Sequence, residues 1–266
     1  TDINSFEVNS VMAMYGTTPF IFSHSTEGFD GVFWCNPSET WTDISDLSDH
    51  QGKRVRMMSE GGYIDLFISA GCSTPSKVSD IYTRITGRPY LIPYFALGLH
   101  QSRWGYMSSD EVREIDAKFD NHFTPHDVFW LDLDHTNNKR YFTFHPSNFK
   151  DSVELLDSLD YHKRKLAIVN DPHMAVDDSY RHYKEAKEQH LFIQEADGTK
   201  DFIGHCWPGK SSWPDFLNPD ARKWWSSNYD YEKFAGSRPN LYIWNDMNEI
   251  AVFDSCDLTA PRDLIH

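Results

Sequence analysis

The chain has 266 residues, enough to bury one large core or two modest ones. Acidic residues outnumber basic ones 40 to 25, a formal charge of −15, which repels phosphate backbones and anionic lipid and argues against nucleic-acid and membrane-surface roles. No apolar run approaches the roughly 20 residues of a bilayer-spanning helix, and the start at Thr1-Asp2-Ile3-Asn4 has neither the basic nor the apolar region of a signal peptide.

Residues 1 to 73 read as antiparallel β structure, the end of an N-terminal β-sandwich domain. Pro19-Phe20-Ile21-Phe22-Ser23 and Gly31-Val32-Phe33-Trp34-Cys35 are strands joined by a turn at Ser25-Thr26-Glu27-Gly28. Arg54–Ser59 and Tyr63–Ile68 flank Glu60-Gly61-Gly62, which predicts a hairpin between them. A helix follows: Thr74 caps it, Pro75 fits its first turn, Val78, Ile81 and Ile85 form its stripe, and Gly87 and Pro89 end it.

From residue 74 to 266 the pattern becomes a succession of strand and helix. Tyr94–His100 predicts a strand, followed by a helix with Ser108 and Glu111 spaced as a capping box. Val128–Asp132, Leu166–Asn170 and Leu241–Asn245 predict three more strands, with helices over 152–163 and from Asn218-Pro219. Between the last two strands lies an excursion, about 175–217, with a charged helix, a hairpin at Ala196-Asp197-Gly198 and the turn Cys206-Trp207-Pro208-Gly209. Four βα-type units fit either a doubly wound sheet or the first half of a (β/α)₈ barrel. No Gly-x-Gly-x-x-Gly or Gly-Lys-Ser/Thr loop follows any strand, which counts against nucleotide binding.

The strand ends carry the chemistry. His100 with Arg103 and Trp104, Asp132 with Asp134 and His135, Asp171 with His173, and Asp246 with Glu249 would converge on one barrel mouth. Carboxylates interleaved with aromatics suit glycosidic bond cleavage, in which one carboxylate attacks the anomeric carbon. Two metal readings compete: a divalent-cation clamp at Asp132 and Asp134, and zinc at His100, His173 and His205. The four cysteines, Cys35, Cys72, Cys206 and Cys256, have neither zinc-ribbon nor disulfide-scaffold spacing. Trp224 and Trp225 read as core and Trp207 as a sugar platform, whereas Lys139-Arg140 and His162–Lys165 read as solvated surface.

Trp244-Asn245-Asp246-Met247-Asn248-Glu249 resembles the nucleophile motif of glycoside hydrolase family 31, the retaining α-glucosidases. Leu97–Tyr106 and Asp127–His135 are similar to the family's first two strand segments. Phe33–Ile44, Lys139–Phe144 and Cys206–Gly209 resemble its glucosidase II branch, so the likeness runs through the whole chain in order. The resemblance implies a metal-independent hydrolase of terminal α-linked glucose on N-glycans, in the endoplasmic reticulum lumen, with a glucosidase II β-type partner subunit. It implies Asp246 as nucleophile, Asp132 as the carboxylate holding glucose hydroxyls, and Met174, Trp207, Trp244, Met247 and Phe253 as pocket walls. Met174 stands where isoleucine is more usual. Asp2 would correspond to a sugar-binding aspartate on a loop from the sandwich, and Glu249 to a buried supporting carboxylate. Ile250-Ala251 replaces the family's Pro-Ser. The family's acid/base aspartate follows later strands, so it is expected beyond His266, and the chain is expected to be a segment: the sandwich end plus half a barrel. A non-catalytic glycan-binding module or inactive homologue is the alternative.

Overall fold

The computed structural model describes residues 18–48, 52–248, 250–255 and 259–266. The chain divides into two compact units between Leu91 and Ile92. No helix of the described residues is long and apolar enough to cross a membrane.

The N-terminal unit consists of strands β1 (Phe20–Ser25), β2 (Gly28–Trp34), β3 (Thr40–Asp46), β4 (Lys53–Ser59) and β5 (Leu66–Cys72), then helix α1 (Pro75–Thr86). The strands form two antiparallel sheets, β1-β2-β5 and β3-β4. The expected hairpin between Arg54–Ser59 and Tyr63–Ile68 is therefore not formed: β4 pairs with β3, from Thr40↔Ser59 to Asp46↔Lys53, and β5 pairs with β2. The physical reason lies in the connector. Asn36 Nδ2 donates to the carbonyls of Gly61, 2.8 Å, and Tyr63, 3.0 Å, pulling the glycines away from a tight turn and onto the loop after β2.

Helix α1 starts where Thr74 Oγ1 accepts from the Lys77 amide, 3.3 Å, and stops at Gly87, whose φ of 98° favours glycine. It packs on β2 and β5, which assigns it to the sheets, whereas the sequence reading opens the barrel with it. Gly31 makes the close approach possible: a Cβ there would lie 2.6 Å from Val78 Cγ1 and 2.8 Å from Ser69 Oγ.

The second unit is built on a four-stranded parallel sheet in chain order: β6 (His100–Arg103), β7 (Val128–Leu131), β8 (Lys165–Asn170) and, after the excursion, β12 (Leu241–Asn245). Between them run α2 (Ser109–Asn121), α3 (Ser152–Tyr161) and, in the excursion, β9 (Met174–Ala175), α4 (Arg181–Glu188), β10 (Gly204–Cys206), β11 (Gly209–Ser212) and α5 (Pro219–Ser227). Parallel strands in sequential order, each followed by covering structure, are the arrangement of a half (β/α)₈ barrel.

The predicted strand at Tyr94–His100 is corrected: Tyr94–Leu97 is a 3₁₀ turn, and β6 begins only at His100. The amides of Ala96 and Gly98 bond back to Pro93 and Phe95 oxygens at 2.9 and 3.2 Å, so local bonds replace a ladder. His100 consequently sits at the start of its strand, where its Nδ1 accepts from Trp130 Nε1, 2.9 Å.

Register sorts the sheet's side chains into two faces. Phe129, Leu166 and Leu241 form one lateral row and Leu131, Ile168 and Ile243 the next. These rows share one core with Val112 of α2 and Leu155, Leu156 and Leu159 of α3, all of which are buried. Alternation puts Trp130, Ala167, Val169 and Trp244 on the opposite face. Asn218 caps α5 through its side chain, and Trp224 and Trp225 pack into cores, as their helical spacing predicts.

Candidate active site

Four strand ends converge on one edge of the parallel sheet. Leu131, Ile168 and Ile243 are mutually in register, so Asp132 stands level with Val169 and Trp244, while Asp171 and Asp246 follow the paired residues Asn170 and Asn245. By alternation Asp132, Asp171 and Asp246 share the face that carries Trp130 and Trp244, whose rings meet edge-on at 5.6 Å. β7 and β12 are separated by β8 alone, and Asp246 lies two residues beyond the level of Asp132, so two strand spacings and a two-residue offset put the strand positions roughly 12 Å apart. That gap accommodates a sugar ring between two carboxylates.

Asp246 is half-buried and makes no hydrogen bond or ion pair with any described residue. The chain turns sharply after it. Met247 is left-handed at φ 56°, an uncommon conformation for a non-glycine residue, and its side chain is buried in a cluster with Cys206, Trp213 and Val252. The turn leaves the carboxylate at the strand end and anchors the segment behind it.

Asp132 has a structural task besides. Its Oδ1 accepts from the Leu133 amide, 2.7 Å, opening the 3₁₀ turn Leu133–His135, and its carbonyl accepts from His135 Nδ1, 2.7 Å. Asp134 accepts from the Gly105 amide, 2.8 Å, tying the loop after β6 to the loop after β7. Each of the two carboxylates thus has one oxygen engaged by the loop backbone. Burial pushes the His135 imidazole down to about 4, with its backbone hydrogen bond opposing, so at neutral pH it is an uncharged strut.

The aromatic wall is assembled from the excursion and the segment after Asp246. Trp207 occupies the turn between β10 and β11 and meets the ring of Phe253 edge-on at 4.7 Å. The Phe253 amide donates to the His205 carbonyl, 2.8 Å, locking the two segments together. Trp207 also packs against the sheet core that Trp244 joins. Met174 is wholly buried, among Tyr180, Tyr183 and Phe192, with β9 paired to β11. Asp2 and Glu249 lie outside the described residues.

A buried polar cluster stands at the same sheet edge; sequence reasoning named its Asp171 and His173 but missed Tyr141. Tyr141, Asp171 and His173 are each at most 1% exposed. The Tyr141 hydroxyl donates to Asp171 Oδ2 and lies 2.7 Å from His173 Nε2. A hydroxyl has one proton, so His173 must supply the other as a neutral Nε2–H tautomer. Burial drives His173 down to about 3, and burial together with the Asp171 charge holds the Tyr141 phenol well above its ordinary value. Asp171 and His173 lie just after β8, and Tyr141 comes from the loop after Asp132, so the cluster ties two mouth-forming loops together. The signal was present as Asp171-Pro172-His173, but no local pattern announces its tyrosine partner.

His173 is committed to this cluster and His100 to Trp130, so the zinc reading from His100, His173 and His205 finds no support in their partners. Among the described residues the one grouping with metal-ligand spacing is Asp116, Asp120 and His162, on the helical side. Arg164 lies inside it, donating to Asp116 at 2.8 Å and to both oxygens of Asp120. A guanidinium already bonds both carboxylates of that cluster.

Comparison with known proteins agrees with this geometry. Residues 89–265 match the glycosyl hydrolases family 31 TIM-barrel domain, and residues 1–43 match the glycosyl hydrolase 31 N-terminal galactose mutarotase-like domain. The mouse neutral alpha-glucosidase AB is 41% identical over all of this chain and 30% of its own length. The catalytic subunit in the crystal structure of the ER glucosidase II heterodimeric complex, solved with the binding domain of its regulatory subunit, superposes with a TM-score of 0.92 at 38% identity, again covering 100% of this chain and 30% of that one. A glucosidase II alpha subunit bound to Glc1Man2 superposes equally well, TM-score 0.92 at 37% identity, with the same coverage. The chain thus spans about 30% of the length of the proteins it matches. On the strength of the barrel-domain match and these relatives, the chain belongs to glycosyl hydrolase family 31.

Proposed function

We propose that this chain carries the nucleophile half of a retaining α-glucosidase site that removes terminal α-linked glucose from N-glycans. The observation that carries the reading is the placement of Asp246 and Asp132 on one face, at the C-terminal ends of β12 and β7. The Asp246 carboxylate attacks the anomeric carbon as the glycosidic C–O bond breaks, and an acid protonates the leaving oxygen. Water then attacks that carbon, gives its proton back to the acid's conjugate base, and releases Asp246 with net retention. Negative charge beneath the ring stabilises the oxocarbenium-like transition states. Asp132 binds glucose hydroxyls; Trp207, Trp244, Met247 and Phe253 shape the pocket, and Met174 backs it. The proton donor comes from a strand later than β12. The named relatives support assignment to the endoplasmic reticulum lumen and pairing with a regulatory β-type subunit.

The test uses the full-length protein with a fluorinated α-glucosyl donor that slows the second step. Mass spectrometry should find the glucosyl label on the peptide containing Asp246, and Asp246→Asn should abolish both label and turnover. A label on another carboxylate, or β-glucose as the first product, overturns the mechanism. Glycan binding by calorimetry without turnover identifies a binding module instead.

A further inference from the structure

The tip of the loop after β7 holds a feature that the proposed pocket does not use. Asn138 and Lys139 are consecutive left-handed residues, φ 54° and 57°, and the Arg140 amide closes the turn on the Asn137 carbonyl at 3.2 Å. Two successive positive φ values are the mark of a primed turn, whose second central position is dominated by glycine. Here a lysine occupies it. The loop beneath is firmly held: the Asn137 amide donates to Thr143 Oγ1 at 3.1 Å, and Tyr141 and Phe142 are buried. The turn is therefore fixed, and its strained residue projects a long side chain. Lys139 Nζ lies 5.8 Å from the centroid of the Trp207 ring and makes no hydrogen bond or ion pair with any described residue. Its neighbour Arg140, by contrast, is paired with Asp177.

Met247 is buried, Asp132, Asp246 and Trp207 are all half-buried, and Lys139 is exposed. A terminal glucose held at Asp246 sits among the half-buried residues. The rest of the sugar chain must leave toward solvent, where the exposed Lys139 ammonium stands over Trp207. Resting on this reading of Asp246, we infer that Lys139 is a specificity-determining residue that donates a hydrogen bond to a hydroxyl of the second sugar, on the leaving-group side of the scissile bond. An amine held over an indole face loses little on exchanging that contact for a hydroxyl acceptor, and one charge-assisted hydrogen bond is enough to discriminate between leaving groups.

The experiment compares two substrates of the full-length enzyme: an aryl α-glucoside, whose leaving group has no sugar hydroxyls, and an α-linked glucose disaccharide. In Lys139→Met the ratio of disaccharide to aryl kcat/KM should fall about tenfold, through KM of the disaccharide. Lys139→Arg, which keeps a donor, should restore most of the ratio. Lys139→Gly should lower the ratio as Met does while leaving the melting temperature equal or higher, because glycine suits the turn. An unchanged ratio in Lys139→Met, or an equal loss on both substrates, overturns the inference. Absence of turnover in the unsubstituted enzyme on either substrate instead defeats the glucosidase reading.

Discussion

Acidification should destabilise the second unit steeply, because three buried histidines there are held neutral. Burial depresses His173 to about 3 and both His135 and His182 to about 4; the Arg181 and Lys233 charges add to the effect at His182. All three are less than 5% exposed, so solvent screening does not dilute the linkage. Their folded values lie below the unfolded value of about 6.5, so below that pH the unfolded chain binds more protons than the folded one. Stability is complete above about pH 6.5 and falls as pH drops toward 4. At pH 5 each group costs about 2 kcal/mol relative to neutral pH, about 6 kcal/mol for the three, with a slope near 4 kcal/mol per pH unit. That is comparable to the whole stability of an ordinary domain. His126, lowered chiefly by burial, acts in the same direction. Urea unfolding followed by tryptophan fluorescence between pH 7.5 and 5, with proton uptake measured in paired buffers, reads the effect. Uptake of fewer than about one proton on unfolding at pH 5 would refute the argument.

Three further outcomes follow from the structure. Tyr141→Phe removes the hydroxyl that bonds both Asp171 and His173 in the buried cluster and should cost about 1–3 kcal/mol in urea unfolding, with unchanged denaturant slope. Gly31→Ala forces a methyl against Val78, Ser69 and Phe20 and should cost about 1–3 kcal/mol, read as a lower melting temperature of the sheet unit. Asp132→Asn keeps an acceptor for the Leu133 amide but removes the charge. In the full-length enzyme it should lower kcat/KM on an aryl α-glucoside by about 10–100-fold with little change in melting temperature.

Much of this architecture is written locally. Helix α1 is legible because each of its signals, Thr74, Pro75, the Val78 stripe and Gly87, acts within one or two turns of the chain. The strand ends at Asp132 and Asp246 are legible for the same reason: an apolar run ends abruptly in a carboxylate. What escaped notice depends on distant partners. β3 carries its few apolar residues in an exposed two-stranded ribbon, so no burial pattern marks it, and only Asn36 reaching across to Gly61 and Tyr63 reveals why β4 turns away from β5. The apolar letters of Tyr94–Leu97 promise a strand, but local bonds to Pro93 and Phe95 win. Lys139 reads as one more surface lysine until Trp207, 68 positions later, is placed beneath it.

The chain-order arrangement of the parallel sheet has a consequence for biosynthesis. Every strand of β6, β7, β8 and β12 borders only its nearest predecessor or successor in the sheet. Each new ribbon can therefore dock as soon as it clears the ribosome, without waiting for a distant partner to be translated. The longest pause in that zipper is residues 171–240, which close a small sheet of their own between Met174 and Ser212 meanwhile. Asp246 is thus delivered onto a floor already laid.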